Sequence, residues 1–361
     1  MLYIIANETA GSGAGAAVFH RVCEMLTEKG VPFRADTTEA PGHAARLADA
    51  AVRAGETEIV CLGGDGTISE IVNGLAGRFV TLYFVPCGTG NDFVRVLDLP
   101  KDPVGALAAQ LSGTPGTIDV GMLNDRYFLN VSGSGFDVEV LRQAVRFRRF
   151  GKGLLPYLLG IFAALKNFRA LPVEITLDGK TEKKDVTIFS VGNGCWFGGG
   201  MKAVPHAKPD DGLFDVVIAD QFSRPQILKM LMKFIPGKHT TLPGIREFRC
   251  SEITFRCPGM VLDVDGELIP VDEAHYELLP GALGVRLHGV EKTDRDACIF
   301  GWLYACGVEN LCTEISQLGS FLKVELVYCF GVIYHTWVIV VHAVDVGPYL
   351  YLFSVNGCTD E

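Results

Sequence analysis

The sequence predicts an α/β domain built on a parallel sheet, then a β-rich antiparallel sandwich, with a cleft between the two domains. Three observations carry this. From Leu2 to Val85, short apolar runs alternate with amphipathic stretches of helical period, the pattern of βαβ units. From about Thr117 the texture changes to short apolar runs bounded by turn residues, as in an antiparallel sandwich. The chain has 361 residues, long for a single core.

Taken in order, Leu2 to Ala6 reads as a strand that ends in Asn7 and a small-residue loop, Gly11 to Gly15. Val18, Val22, Met25 and Leu26 then form one apolar helical stripe, which Gly30 stops. Val31 to Ala35 is a second strand, Gly42 to Ala54 a second helix, and Glu58 to Leu62 a third strand leading into Gly63-Gly64-Asp65-Gly66-Thr67. A helix from Ile68 to Leu75 and a strand from Thr81 to Val85 follow. Further strands are expected at Ile118 to Leu123, Tyr127 to Ser132, Val173 to Leu177, Thr187 to Gly192, Phe214 to Ala219, Glu252 to Cys257 and Met260 to Asp265. One helical segment, Val140 to Phe168, interrupts them. The expected domains are 1–118, 119–288 with a last strand that can return to the first domain, and a C-terminal extension, 289–361.

Composition narrows the function classes. Hydrophobic residues make up 48%, charged residues 20%, and mean hydropathy is +0.27. This excludes a disordered chain and brings lipid contact into consideration. A net charge of -10 argues against a nucleic-acid binder. Residues 290–361 hold 9 acids, 3 bases and five of the eleven cysteines, so the tail skews the bulk figures. No secretory pattern opens the chain and no Cys pair has C-x-x-C spacing, so reduced thiols in cytoplasm are expected.

Two motifs carry chemistry. Gly63 to Thr67 sits between a strand and a helix, where glycines admit a phosphate and the helix N-terminus supplies free amides. A carboxylate there, Asp65, implies Mg²⁺ beside a polyphosphate. The plainer reading is a strand-to-helix turn with Asp65 or Thr67 as cap. The second motif, Pro86-Cys87-Gly88-Thr89-Gly90-Asn91-Asp92-Phe93, also follows a strand. Ligands of parallel sheets bind outside the carboxyl ends of strands, so the two motifs converge on one crevice.

Together they resemble the diacylglycerol kinase catalytic domain, in the group of bacterial lipid kinases related to sphingosine and ceramide kinases. Gly-Gly-Asp-Gly-Thr is shared with NAD kinases and phosphofructokinases, whereas Gly-Thr-Gly-Asn-Asp-Phe is particular to the lipid kinases. The resemblance extends to Thr38 to Ala44, Gly198 to Met201, Asp210 to Asp215 and Val264 to Glu267, and covers about residues 1–288. It implies a first domain like that of NAD kinase and phosphofructokinase, and an ATP-dependent, Mg²⁺-requiring kinase acting on a lipid hydroxyl, with diacylglycerol the leading acceptor. A sphingoid base, phosphatidylglycerol and a soluble acceptor such as NAD remain alternatives. So do a nucleotide sensor and a dehydrogenase with Asp36 as ribose acid.

By the same resemblance, Asn7, Thr38, Gly63, Gly64, Asp65, Gly66, Thr67, Glu70, Gly88, Thr89, Asn91 and Asp92 would face ATP. Glu267 would be the general base and Asp65 a second catalytic carboxylate. Lys208, Asp211 and Leu213 would hold a structural Mg²⁺. The chain departs from the family at Glu8, Ala14 and Gly15, where a proline and a basic residue are usual, and at Ser69, where Asn is commoner. His206 has no assigned role.

Arg142, Arg146, Arg148, Arg149 and Lys152, interleaved with Phe147 and Phe150, precede an apolar stretch, Leu154 to Phe168. A basic cluster beside an apolar helix suits an anionic membrane surface, so peripheral docking at the inner membrane face is expected. The plain alternative is a core helix with a solvated basic end. A homodimer is left open. In the extension, Leu326 to Val344 is a 19-residue stretch without Lys, Arg, Asp or Glu. It is long enough to span a bilayer, yet its Val and Ile content favours strands.

Overall fold

The structure, a computed structural model, describes residues 1–147, 154–234 and 236–287, with strand backbone at 324–333, 336–343 and 347–354. Met1–Gly289 forms one compact unit and Val290–Glu361 a second.

The first unit opens with β1 (Leu2–Ala6), α1 (Ala10–Glu28), β2 (Phe33–Thr37), α2 (His43–Arg53), β3 (Glu58–Gly63), α3 (Asp65–Leu75) and β4 (Thr81–Pro86). The four strands are parallel in the order β2-β1-β3-β4. Successive residues of β1 enter opposite layers. Tyr3 and Ile5 pack with Ala48 of α2 and Ile71 of α3, while Leu2, Ile4 and Ala6 pack with Val22 and Leu26 of α1. A sheet covered on both faces produces continuous apolar runs, which makes these strands legible. The chain runs from β1 to β2 on one side and then to β3 on the other, so a topological switch point lies between β1 and β3.

Two helices beyond the expected ones follow, α4 (Asp92–Val96) and α5 (Pro103–Ser112). Asp102 caps α5 by accepting the Gly105 amide at 2.8 Å. Buried Gln110 bonds the Phe84 amide at 2.9 Å and the Phe84 carbonyl at 2.8 Å, closing the edge of β4.

The rest of the unit contains β5 (Thr114–Leu123), β6 (Arg126–Phe128), β7 (Val131–Gly135), α6 (Phe136–Phe147), α7 (Leu154–Asn167), β8 (Leu171–Leu177), β9 (Lys180–Gly192), β10 (Trp196–Phe197), β11 (Met201–Lys202), β12 (Phe214–Asp220), α8 (Arg224–Phe234), β13 (Ile245–Cys250), β14 (Glu252–Val264) and β15 (Glu267–Leu287). The order is β13-β12-β9-β7-β14-β15, continued by β5 and β6. Strands β7 and β8 share one slot, each pairing with both β9 and β14. The sheet curls enough to bring β6 against β12: Phe128 stacks on Phe214 with centroids 5.7 Å apart. Tyr276 sets its ring edge against both. Near its end β15 pairs in parallel with β4, through Gly284 and Thr81, so one hydrogen-bonded sheet runs through both lobes.

Besides α4, α5 and β13, which were not expected, the structure departs from the sequence reading at several elements. The strand expected over Tyr127 to Ser132 breaks at Leu129, because the amides of Leu129, Asn130 and Val131 bond the Asp265 carboxylate instead of a neighbouring strand. The strands expected either side of Pro258 are one strand, β14, whose register shifts between Arg256 and Met260. The expected helix over 140–168 begins at Phe136 and forms two helices; 148–153 lie outside the described residues. Helix α8 was not expected, although half of a capping box stands at its start, where the Ser223 amide donates to the Gln226 Oε1 at 2.9 Å.

In the second unit, β16 (Val324–Ile333), β17 (Thr336–Ala343) and β18 (Gly347–Ser354) form an antiparallel meander. Residues 326–333 and 336–343 therefore lie on strands rather than on a helix, and 334, 335 and 344 lie outside the described residues. Among the described residues no helix is long and apolar enough to cross a membrane.

Candidate active site

The carboxyl ends of all four parallel strands deliver expected site residues to one edge of the sheet: Asn7 after β1, Thr38 after β2, Gly63 and Gly64 at β3, and Gly88 after β4. They frame two adjoining recesses. The smaller, about 410 Å³, is lined by Asn7, Gly11, Thr38 to Pro41, Gly64, Gly66, Thr67, Glu70 and Gly88. The larger, about 760 Å³, is lined by Gly64 to Gly66, Gly88 to Gly90, Asp92, Leu129 to Val131, Leu141, Trp196 to Gly199, Asp263 and Asp265 to Glu267. Gly64, Gly66 and Gly88 belong to both and form the ridge between them.

The ridge exists because the two glycine loops touch. A Cβ on Gly64 would come within 2.9 Å of the Gly88 Cα, and one on Gly88 within 2.6 Å of the Gly64 Cα. Side chains are thus barred from the contact, which leaves bare backbone along the ridge. Asp65 locks the loops together, accepting the amides of Asn91 at 2.8 Å and Asp92 at 2.9 Å. Burial raises its carboxyl above the usual carboxylate range, and those amides pull it back. Asp65 is therefore the cap of α4, across the loops, and stands in the cleft as well.

The remaining expected residues divide by role. The Asn7 amide group donates to the Thr67 hydroxyl at 3.1 Å, joining the β1 and β3 loops. Glu70 accepts the Gly42 and Ala44 amides at 2.7 and 3.1 Å, so its charge caps α2. Asn91, in the left-handed region at φ 51°, bonds both backbone groups of Gly88 at 3.0 and 2.9 Å. Gly63 and Asn91 line neither recess, whereas Thr89 lines the larger one. Asp92 accepts the Gly199 amide at 2.6 Å through Oδ2 and so ties the lobes, while its buried Oδ1 has no hydrogen-bond partner. Burial raises the Asp92 carboxyl too.

The facing wall is the β14–β15 hairpin. Val264 pairs with Glu267 across the two-residue turn Asp265-Gly266, both residues at positive φ, 48° and 91°. This is the primed turn that Asp-Gly favours. The Gly266 amide donates to Asp263 at 2.8 Å, and Asp265 grips three amides of the 129–131 segment. The turn is consequently fixed and presents exposed Glu267 to the cleft. Burial pushes Asp265 up to about 6, its three amide donors oppose this, and Asp65 across the cleft adds to it. Arg126, which sequence reasoning did not single out, ion-pairs with Glu267.

Lys208, Asp211 and Leu213 lie outside both recesses. The Asp211 carboxylate meets the Arg249 guanidinium and also accepts the Leu213 amide at 3.2 Å. A cation at this turn would compete with that ion pair. Asp36 accepts the Tyr3 hydroxyl at 2.7 Å, and His206 bonds Glu247 at 2.8 Å. Arg142 and Arg146 are exposed on α6, while Arg148 and Arg149 lie outside the described residues. Among the described residues no cluster of three or more His, Cys, Asp or Glu is gathered around a point.

Comparison with known proteins bears on this geometry. Residues 1–123 match the diacylglycerol kinase catalytic domain and residues 130–287 the YegS C-terminal NAD kinase beta sandwich-like domain. The chain is 33% identical over 292 residues to a diacylglycerol kinase of Mycobacterium tuberculosis strain H37Rv, covering 78% of this chain and 93% of that one. A Staphylococcus aureus (strain Newman) diacylglycerol kinase is 30% identical over 267 residues, covering 73% and 85%. A Bacillus anthracis diacylglycerol kinase crystal structure shares the fold at TM-score 0.62 and 23% identity, covering 80% and 97%.

Proposed function

We propose, for a chain that belongs to the diacylglycerol kinase family and is a lipid kinase, that its acceptor is diacylglycerol and its product phosphatidic acid. The names of its relatives support the acceptor. So does a cleft that combines Phe93, Leu129, Leu141, Trp196 and Phe197 with a few carboxylates.

The observation that carries the reading is the ridge of Gly64, Gly66 and Gly88 between the two recesses, with Glu267 lining the larger. The nucleotide occupies the smaller recess at the switch point, and its phosphates cross the glycine ridge. The acceptor hydroxyl enters from the larger cleft. Glu267 takes its proton as it attacks, and Arg126 orients Glu267. Phosphoryl transfer asks the protein mainly for positioning and charge stabilisation, which the paired loops supply.

Mg²⁺, when bound with ATP, neutralises phosphate charge. Asp65 and Asp92 would hold it. The buried Oδ1 of Asp92 lacks a hydrogen-bond partner and meets the Arg95 guanidinium at 3.6 Å, and Mg²⁺ beside phosphates needs only one or two carboxylates. Access to a bilayer substrate is read as peripheral, with Arg142 and Arg146 toward anionic headgroups.

Incubating the purified chain with γ-labelled ATP, Mg²⁺ and separate acceptors in detergent tests this. Label is expected in phosphatidic acid. Label confined to a sphingoid base, phosphatidylglycerol or NAD overturns the assignment.

A further inference from the structure

We propose that the outward face of α8, with Phe162 of the neighbouring α7, is a docking surface for an anionic bilayer. The proposal rests on the reading that the acceptor is drawn from a membrane, and it names the part of the protein that meets it.

Leu228 and Met232 lie four residues apart on α8 and are 43% and 72% exposed; Phe162 is 67% exposed. These are three of the six exposed large hydrophobic side chains among the described residues, and all three belong to α7 and α8, which share a core through Ala164, Leu165 and Ile227. The opposite face of α8 is fixed. Ile227 packs with Phe136, Val140, Ala164 and Leu165, and Met230 and Phe234 pack with Ala203 and Val204. Core packing therefore accounts for the inward residues and leaves Leu228 and Met232 without a folding role.

Charge supplies the occupant. From Gln221 to Arg246 the chain contains no Asp or Glu but five bases, Arg224, Lys229, Lys233, Lys238 and Arg246, in a protein of net charge -10. Arg246 is held by Glu182 and Asp220. Arg224 instead donates to the Lys166 carbonyl at 2.8 Å and Lys233 to the Thr241 hydroxyl at 3.2 Å, neither a carboxylate. Apolar side chains beside such bases match a lipid interface, where each base adds attraction to anionic headgroups. A second copy fits worse, because a two-fold contact would oppose Lys229 and Lys233 to themselves.

The placement suits the chemistry. Helix α8 packs on α6, whose Leu141 lines the cleft. Just beyond its C-terminus, Gly237 abuts Lys202 and Pro205, which follow the cleft-lining segment Trp196 to Gly199. Docking through α8 would hold both of these cleft walls near the membrane.

Vesicle sedimentation of the full chain without nucleotide tests the surface, using phosphatidylcholine alone or mixed with phosphatidylglycerol. Binding is expected only to the anionic mixture. Leu228→Gln/Met232→Gln and, separately, Lys229→Gln/Lys233→Gln are each expected to weaken it about tenfold. Both should keep the parent's thermal midpoint and its transfer to detergent-dispersed diacylglycerol. Unchanged binding in both double variants overturns the proposal. So does binding indifferent to anionic lipid, or a dimer in solution that Leu228→Gln/Met232→Gln disperses. A parent that binds vesicles through α8 yet labels no lipid upholds the docking surface and overturns the acceptor reading instead.

Discussion

The carboxylate of Asp65 lies 2.8 Å from the backbone amide of Asn91, so the two glycine-rich loops behave as one rigid unit. Neither loop alone could set the spacing of a phosphate site. Asp65→Ala frees the Asn91 and Asp92 amides and is expected to lower kcat/KM for lipid phosphorylation by about 10²-fold or more. The thermal midpoint should fall by a few degrees, since each orphaned buried donor costs about 1–3 kcal/mol. Labelled phosphate transfer and melting curves check both, and full activity in the variant would refute the role.

One glycine from each loop should separate stability from activity. Gly88→Ala places a Cβ 2.6 Å from the Gly64 Cα, and overpacking of this kind costs about 1–3 kcal/mol. A drop of about 3–10 °C in Tm is expected. Nothing lies within 4 Å of a Cβ on Gly66, so Gly66→Ala should melt like the parent yet raise KM for ATP, because it adds a methyl to the ridge.

Glu267 is exposed and held by Arg126. Glu267→Gln is expected to leave Tm unchanged and reduce kcat by about 10²-fold or more, the usual scale for a lost general base. Arg126→Gln should cost about tenfold through misorientation. A fully active Glu267→Gln would remove this carboxylate from the mechanism.

Asp263 is buried beside Asp137, and burial first, then that neighbour, raise it to about 7; burial raises Asp137 to about 6. A raised folded value means the native state holds protons the unfolded chain has released. Stability is therefore lost as pH rises from about 4 through about 7. Asp263→Asn keeps an acceptor for the Gly266 amide and cannot ionise. Its Tm should gain on the parent by about 5 °C between pH 5 and pH 8; a constant difference across that range would contradict the assignment.

Met1–Gly289 is a compact unit that contains every residue placed at the cleft. A chain ending at Gly289 is expected to melt in one cooperative step and to keep at least half of its lipid phosphorylation. A folded but inactive truncation would make Val290–Glu361 part of the catalytic machinery.

The parallel strands, the two glycine loops and the Asp-Gly hairpin were legible because each is written within a few neighbouring residues. Two-sided burial makes continuous apolar runs, and a primed turn calls for Asp-Gly. Helix α8 also leaves a local signal, in the spacing of Ser223 and Gln226 and of Ile227, Met230 and Phe234. Sequence alone thus determined the layered lobes and the strand edge to which the two glycine loops belong. Only tertiary structure decided that Arg126 meets Glu267, 141 residues away, and that Asp265 takes the Leu129 amide, 136 residues away. The same holds for Trp196 and Phe197, which complete the wall of the cleft. Such pairings depend on how the curled sheet brings distant strands together, and a contact between residues so far apart leaves no local period to read.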